Sequence, residues 1–276
     1  MIIKPITKEA HKDWSYIGLS NYMHTKNDAI VPIVIAEISH LVTTNPITFL
    51  EQNGMYSMYS LQSIMPNQNY MIDGQGNWLN NYIPARYRSL PFVFAADNNS
   101  RQNNEKILCY IEDLGCVAKK FTNKSTKIFS NGDKLSAEME KVFSFLQNIE
   151  NNEAITKKAL LSIQELDLFE DWKISLKLAD GEKEMSGLKR VDFEKVKKLT
   201  SSQLEMLNKT GGLDICYASY FSITNLDKLR DLMISKVNEI KGKQKTKSIR
   251  DKTIEMQQLE KKQEMDNLVK DLLLED

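Results

Sequence analysis

Cysteine is scarce in this chain: Cys109, Cys116 and Cys216 are the only three in 276 residues. Thiols so few and so scattered exclude a disulfide scaffold and fit a reducing compartment. Cys109, inside Ile107-Leu-Cys-Tyr-Ile111, is expected to be a buried apolar side chain. Histidine is equally scarce, and the separations of His11, His24 and His40 match no metal-binding motif. Long apolar runs are missing as well. The strongest, Ala29 to Ile38, is interrupted by Pro32 and Glu37 and falls far short of the ~20 residues of a membrane span. Met1 to Trp14 has neither an unbroken apolar core nor a small-residue cleavage site, so no secretory leader is expected. The expected location is therefore cytoplasmic, and a place on the cell surface would need a route independent of such a signal. Net charge is absent too: 37 Lys and Arg balance 37 Asp and Glu. No global field favours nucleic acid or an anionic membrane, so neither is expected as a partner.

What is present is ordinary globular material, 41% hydrophobic and 27% charged, enough for a core. Val31 to Val42 predicts a helix, with Pro32 in its first turn, apolar residues at Ile35, Ile38 and Val42, and Asn45-Pro46 as the stop. From Ile47 to Ile111 the period moves towards two. Ile47 with Phe49, Met55 to Leu61, Tyr70 to Ile72, Pro91 to Phe94 and Ile107 to Ile111 read as strands. Turn clusters such as Gln52-Asn-Gly54 and Asp73-Gly-Gln-Gly-Asn77 separate them. Gly115 to Asn131 reads as irregular. Two helices then follow, one striped by Leu135, Met139, Val142, Phe143 and Leu146, the other by Ile155, Ala159, Leu160 and Ile163, with a polar break at Asn151-Asn152. Trp172 to Leu178 alternates, Asp180-Gly181 signals a hairpin, and Glu184 to Val191 is the return strand.

Further on, Asp192 is placed to cap a short helix, and Ser202 with Glu205 has capping-box spacing for the next, which Gly211-Gly212 closes. Leu213 to Ile223 is apolar enough to be buried on most sides, as helix or strand. Leu226 to Val237 predicts a last packed helix. After Lys241 a lysine-rich block precedes a weak heptad pattern from Glu255 to Asp276, the pattern of a protruding charged helix. The expected architecture is α+β, a mostly antiparallel sheet with packed helices over 1–240 and a charged helical tail over 241–276.

Few residues invite chemistry. Asp73 to Trp78 lacks the spacing of a phosphate loop or an EF-hand and reads as a glycine-rich turn. Glu37 and His40, an i,i+3 pair, read as a helix contact rather than a metal pair. Glu112-Asp113 and Asp97 sit at strand ends, where carboxylates act as acid and base only if their environments part their pKa values. The richest segment is Tyr82-Ile-Pro-Ala-Arg-Tyr-Arg-Ser-Leu-Pro-Phe-Val-Phe94. If it is extended, alternation puts Arg86 and Arg88 on one face and Tyr87 on the other, where the arginines can clamp an anion. The competing account has the aromatics plugging the core edge while the arginines pair with nearby acids. No catalytic residue, cofactor or metal is expected. Tyr82, Arg86, Tyr87, Arg88, Glu112 and Asp113 are the candidates for contact with a ligand or partner.

In order along the chain, several segments resemble the SapC family of bacterial proteins. They are Pro32 with Ala36-Glu37, Asn45-Pro-Ile-Thr-Phe49, Asp73 to Trp78, Tyr82 to Phe94, Ile111-Glu-Asp113 and Phe129-Ser-Asn-Gly132 before a helix ending Phe145-Leu146. Leu178-Ala-Asp-Gly181, Gly187-Leu-Lys-Arg-Val-Asp192 and Ser222-Ile-Thr-Asn-Leu226 complete the set, which covers roughly 20–235. The departure is Gly115-Cys-Val-Ala-Lys-Lys120, where the family carries acids. The resemblance implies association with the protein coat outside the cell, an accessory role through contacts with a surface-layer or envelope protein, and no defined catalysis. The alternative is an enzyme or small-ligand binder that uses Arg86, Arg88, Glu112 and Asp113 on an anion. The tail adds the expectation of helical self-association.

Overall fold

The computed structural model describes residues 1–96, 106–120, 124–130, 134–178 and 181–238, the side chains of 176–178 and 181–183 excepted. Alpha-carbon packing divides the chain into Met1–Leu229 and Arg230–Asp276. In the second unit the described residues, 230–238, are helical. The tail over 241–276 and the turn residues Ala179-Asp180 lie outside the described residues.

In the first unit the strands are β1 (Ile3–Pro5), β2 (Ser15–Tyr16), β3 (Ile30–Pro32), β4 (Ile47–Gln52), β5 (Met55–Leu61), β6 (Phe92–Ala96), β7 (Lys106–Ile111), β8 (Val117–Ala118), β9 (Thr126–Lys127), β10 (Phe169–Leu178) and β11 (Gly181–Val191). The helices are α1 (Lys8–His11), α2 (Ile38–Leu41), α3 (Ala85–Arg88), α4 (Ala137–Glu165), α5 (Phe193–Val196), α6 (Ser201–Thr210) and α7 (Gly212–Ser222). The fold is α+β, and all its strand pairs are antiparallel. The largest sheet runs β10-β11-β4-β5-β3, beside smaller sheets β1-β7-β6 and β8-β2-β9.

Local chemistry explains the joints. Asn53 and Gly54 both adopt positive φ, 52° and 73°, so the turn between β4 and β5 has the twist that suits a tight hairpin. Asp73 Oδ1 accepts from the N–H groups of Gln75 and Asn77 at 2.8 and 2.9 Å, the glycine-rich turn expected there. Gly76 has φ 85°, and a Cβ on it would meet the Met23 backbone nitrogen at 2.9 Å, so both conformation and space demand glycine. Asp192 caps α5 through the N–H groups of Glu194 and Lys195.

Four expectations need correction. Pro32 does not open a helix: it ends β3 at the rim of the sheet, where its missing N–H removes nothing from the ladder, and helical turns begin only at Ile35. Tyr70 to Ile72 forms no strand beyond one bridge between Ile72 and Trp78. Asn151-Asn152 does not break a helix: α4 runs through it for 29 residues, with the Asn152 amide donating to Asn148 O at 2.8 Å. The propensity cost of asparagine, about 0.5 kcal/mol per residue, is smaller than the packing gained on either side. Finally, the capping box is Thr200 with Gln203, not Ser202 with Glu205.

Two apolar clusters lie among the described residues. One holds Ile47, Phe49 and Met58 of the large sheet against Ala159, Leu160 and Ile163 of α4 and Leu207, Ile215 and Cys216 of α6 and α7. The other gathers Phe92, Tyr110, Ile128 and Phe129 with Met139 and Leu146 near the start of α4. All three cysteines are free and buried, Cys109 among them.

Candidate functional site

The segment from Tyr82 to Phe94 is not extended throughout. Pro84 precedes a helical turn, α3, and the change of period turns the two arginines apart. Arg86 reaches Glu153 of α4 in an ion pair. Arg88 folds back: its Nε donates to Ile83 O and a terminal N–H donates to Tyr82 Oη, both at 2.9 Å. Its guanidinium lies 5.1 Å from the centre of the Tyr82 ring and 5.0 Å from that of Phe145. The expectation of a shared arginine face is therefore corrected, because a proline set just ahead of a helical turn favours that turn rather than a strand.

Beneath the arginines lies a closed polar network. Glu37 is 3% exposed and accepts from Val34 N–H at 3.0 Å, Ala85 N–H at 2.7 Å and Tyr82 Oη–H at 3.1 Å. Burial, with the Glu37 carboxyl beside it, pushes the Tyr82 phenol up to about 12. His40 stacks on the Tyr82 ring at 4.6 Å, so Glu37 and His40 meet the same tyrosine, as a structural contact. Tyr87 is buried and donates to Asp28 Oδ2 at 2.9 Å; burial holds its phenol well above the usual range. Burial also raises the Asp28 carboxyl, against the opposing pull of the Tyr87 hydroxyl, and lowers the neighbouring His24.

Glu112 and Asp113 serve another region. Glu112 Oε1 lies 2.6 Å from Lys4 Nζ, and Asp113 Oδ2 accepts from Ile2 N–H at 2.8 Å and sits 3.4 Å from the amino group of Met1. Together they hold β1 along β7. Among the described residues no hydrogen bond or ion pair joins either carboxylate to Arg86 or Arg88. Asp97 lies outside the described residues. No group of three or more His, Cys, Asp or Glu able to hold a metal occurs among the described residues. Nor is any described helix long and apolar enough to cross a membrane.

Two open features were not anticipated from sequence. The first is a groove of about 400 Å³ between β5 and α4. Pro32, Ile33 and Val34 close one end; Met55 to Tyr59 form one wall; Glu153, Thr156, Lys157 and Leu160 form the other, and Arg86 stands beside Glu153. The second is an aromatic platform on α5 and α7. Tyr217, Tyr220 and Phe221 are 44%, 43% and 56% exposed, although α7 was expected to be covered on most sides. Phe193 stacks on Tyr220 at 4.1 Å, Tyr217 stacks on Phe221 at 6.0 Å, and Lys197 Nζ lies 5.7 Å from the centre of the Phe193 ring.

The platform exists because the small residues of α7 face inwards while its large aromatics lie on the outer side, the side on which Asp214 is also exposed. Ser219 and Ser222 are fully buried, and Ser222 Oγ accepts from Ile47 N–H at 2.9 Å, so the helix sits close on the sheet. Gly212 permits the approach at its start, where a Cβ would meet Ser162 Oγ at 2.7 Å. The signal in the sequence was the spacing of Tyr217, Tyr220 and Phe221, three and four residues apart on one helical face. The groove's signal was weaker, a proline that ends a strand early.

A model of the SapC family matches residues 6–229. No curated protein and no solved structure matches the chain.

Proposed function

The chain belongs to the SapC family, and from that premise we propose that it is a surface-layer-associated accessory protein that acts through protein contacts rather than by catalysis. The observation that carries this reading is the aromatic platform, Phe193, Tyr217, Tyr220 and Phe221, held rigid by stacking while more than two-fifths of Tyr217, Tyr220 and Phe221 stays in water. Rigid aromatics lose little entropy on docking and are the residues that dominate protein interfaces. The partner in this reading is a protein of the cell envelope. Tyr82 and Arg88, half-buried and exposed beside Phe145, extend the contact surface in this reading.

The test is co-sedimentation of the purified chain with isolated envelope and with purified surface-layer protein, wild type against Phe221→Ser combined with Tyr217→Ser. Binding that the double variant loses by tenfold or more supports the platform; equal binding, or none, removes it. Truncation after Ile240 examines self-association through the tail, which is expected to lower the sedimentation coefficient towards that of a monomer. A competing reading, an enzyme or small-anion binder using Arg86, Arg88, Glu112 and Asp113, draws support at one point, the place of Arg86 on the wall of the groove.

A further inference from the structure

The groove between β5 and α4 has an unusual wall. Leu61 N–H donates to Pro46 O at 2.9 Å, which places 61, 59, 57 and 55 as the residues of β5 whose backbone groups turn towards β4. The alternate residues turn the other way. For Gln62 and Met58 that side is occupied: Gln62 N–H donates to Ala29 O at 2.8 Å, and Ile33 N–H donates to Met58 O at 3.1 Å. The covering strand then departs. Val34 N–H is taken by Glu37 Oε2, and Ile35 N–H donates to Thr156 Oγ1 on α4 at 2.8 Å. Tyr56 is thus the residue of β5 whose N–H and C=O face the groove with no strand beside them among the described residues. Open strand edges of this kind accept a further strand, since each such pairing satisfies two backbone groups at once.

The lining says what that strand should carry. Met58 and Leu160 are buried at the groove floor, Met55 is 48% exposed at its rim, and apolar side chains of an incoming segment would cover them. Among the charged residues that line it, Arg86 and Glu153 neutralise one another, which leaves Lys157, exposed on α4 and with no ion pair among the described residues. Among the described residues the groove therefore carries one uncompensated positive charge beside an unpaired backbone edge.

We infer that this groove receives an extended peptide segment with alternating apolar and acidic residues, which adds as a strand beside Tyr56 and sets an acidic side chain against Lys157. The mode is backbone-directed: hydrogen bonds to Tyr56 give the affinity, while Met58, Leu160 and Lys157 select the side chains. It stands apart from the aromatic platform and does not depend on the surface-layer reading.

The experiment uses the full chain and a fluorescein-labelled, end-capped pentapeptide alternating valine and aspartate, followed by fluorescence anisotropy and by amide exchange at Met55 to Ser57. The expected result is saturable binding with slowed exchange there. Replacing aspartate by lysine in the peptide should weaken binding fivefold or more, and Lys157→Glu should reverse that preference. N-methylation of the peptide's central amide, which keeps every side chain, should weaken binding tenfold or more. Binding indifferent to N-methylation and to Lys157→Glu would overturn the proposal in favour of unspecific apolar contact. No binding at millimolar peptide would overturn it outright. Loss of the platform by Phe221→Ser should leave this binding unchanged, so the two readings fail separately.

Discussion

The Tyr82–Arg88 cluster and the α5–α7 platform are both aromatic and basic, yet one is closed and the other open. In the first, the polar atoms are spent internally: Tyr82 on Glu37, Tyr87 on Asp28, Arg88 on Tyr82 and Ile83, Arg86 on Glu153. In the second, Tyr217, Tyr220 and Phe221 contact Phe193 and one another through their rings while a large part of each stays in water. A rich composition therefore does not locate a binding surface; what matters is whether the groups have already found partners within the fold. Substitutions in the closed region should cost stability, and those on the open one should cost binding.

The sharpest way to break this contrast is Glu37→Ala. It strands two buried backbone N–H groups, of Val34 and Ala85, and the Tyr82 hydroxyl, so urea denaturation should show a loss of about 3–5 kcal/mol. A loss below about 1 kcal/mol would mean that water enters and the network is not closed. Tyr87→Phe comes next, with an expected loss of about 1–2 kcal/mol for the bond to Asp28, measured the same way.

The pH response is smaller and has two opposing parts. His24 is lowered by burial, so its contribution is full above its ordinary value of 6.5 and is lost as pH falls below it. Asp28 is raised by burial, so the stability it contributes is present below its ordinary value of 3.8 and lost as pH rises through its higher folded value. His24→Gln should therefore flatten the decline in melting temperature as pH falls below 6.5, while Asp28→Asn should steepen any decline on further acidification by removing the opposing contribution. An unchanged profile in either variant would assign the acid response elsewhere. On the open side, Phe221→Ser should alter stability by less than about 0.5 kcal/mol in the same urea assay. Smallest of all, Glu112→Gln loosens an exposed, solvent-screened pair with Lys4 and should leave the urea midpoint nearly unchanged, so a loss of ligand response in that variant would point back to a role for the carboxylate in binding.

Much of the fold was legible because period and turn chemistry act locally. The β4–β5 hairpin, the strands at Phe92 and Ile107, the Asp192 cap and the Gly211 stop all follow from residues within a few positions of one another. The failures share a different cause. Asn151-Asn152 reads as a break only to someone who cannot see the two clusters that α4 joins, and Pro32 reads as a helix start only when the sheet rim it completes is unknown. Of the candidate site residues, the sequence flagged Arg86, Tyr82 and Arg88 but not their internal partners Glu153 and Phe145, which lie more than fifty positions away along the chain. The groove depends on where β3 parts from β5, and no local pattern records that departure.

Helix α4 deserves a last consequence. At about 1.5 Å per residue its 29 residues reach roughly 44 Å, with Met139 and Leu146 seated in one apolar cluster and Ala159, Leu160 and Ile163 in the other. A single rod shared by two cores leaves no seam along which this unit can be divided. Neither half would retain a complete wall if the chain were cut, so evolution can lengthen its loops or append a tail but cannot trade one core for another without rebuilding both.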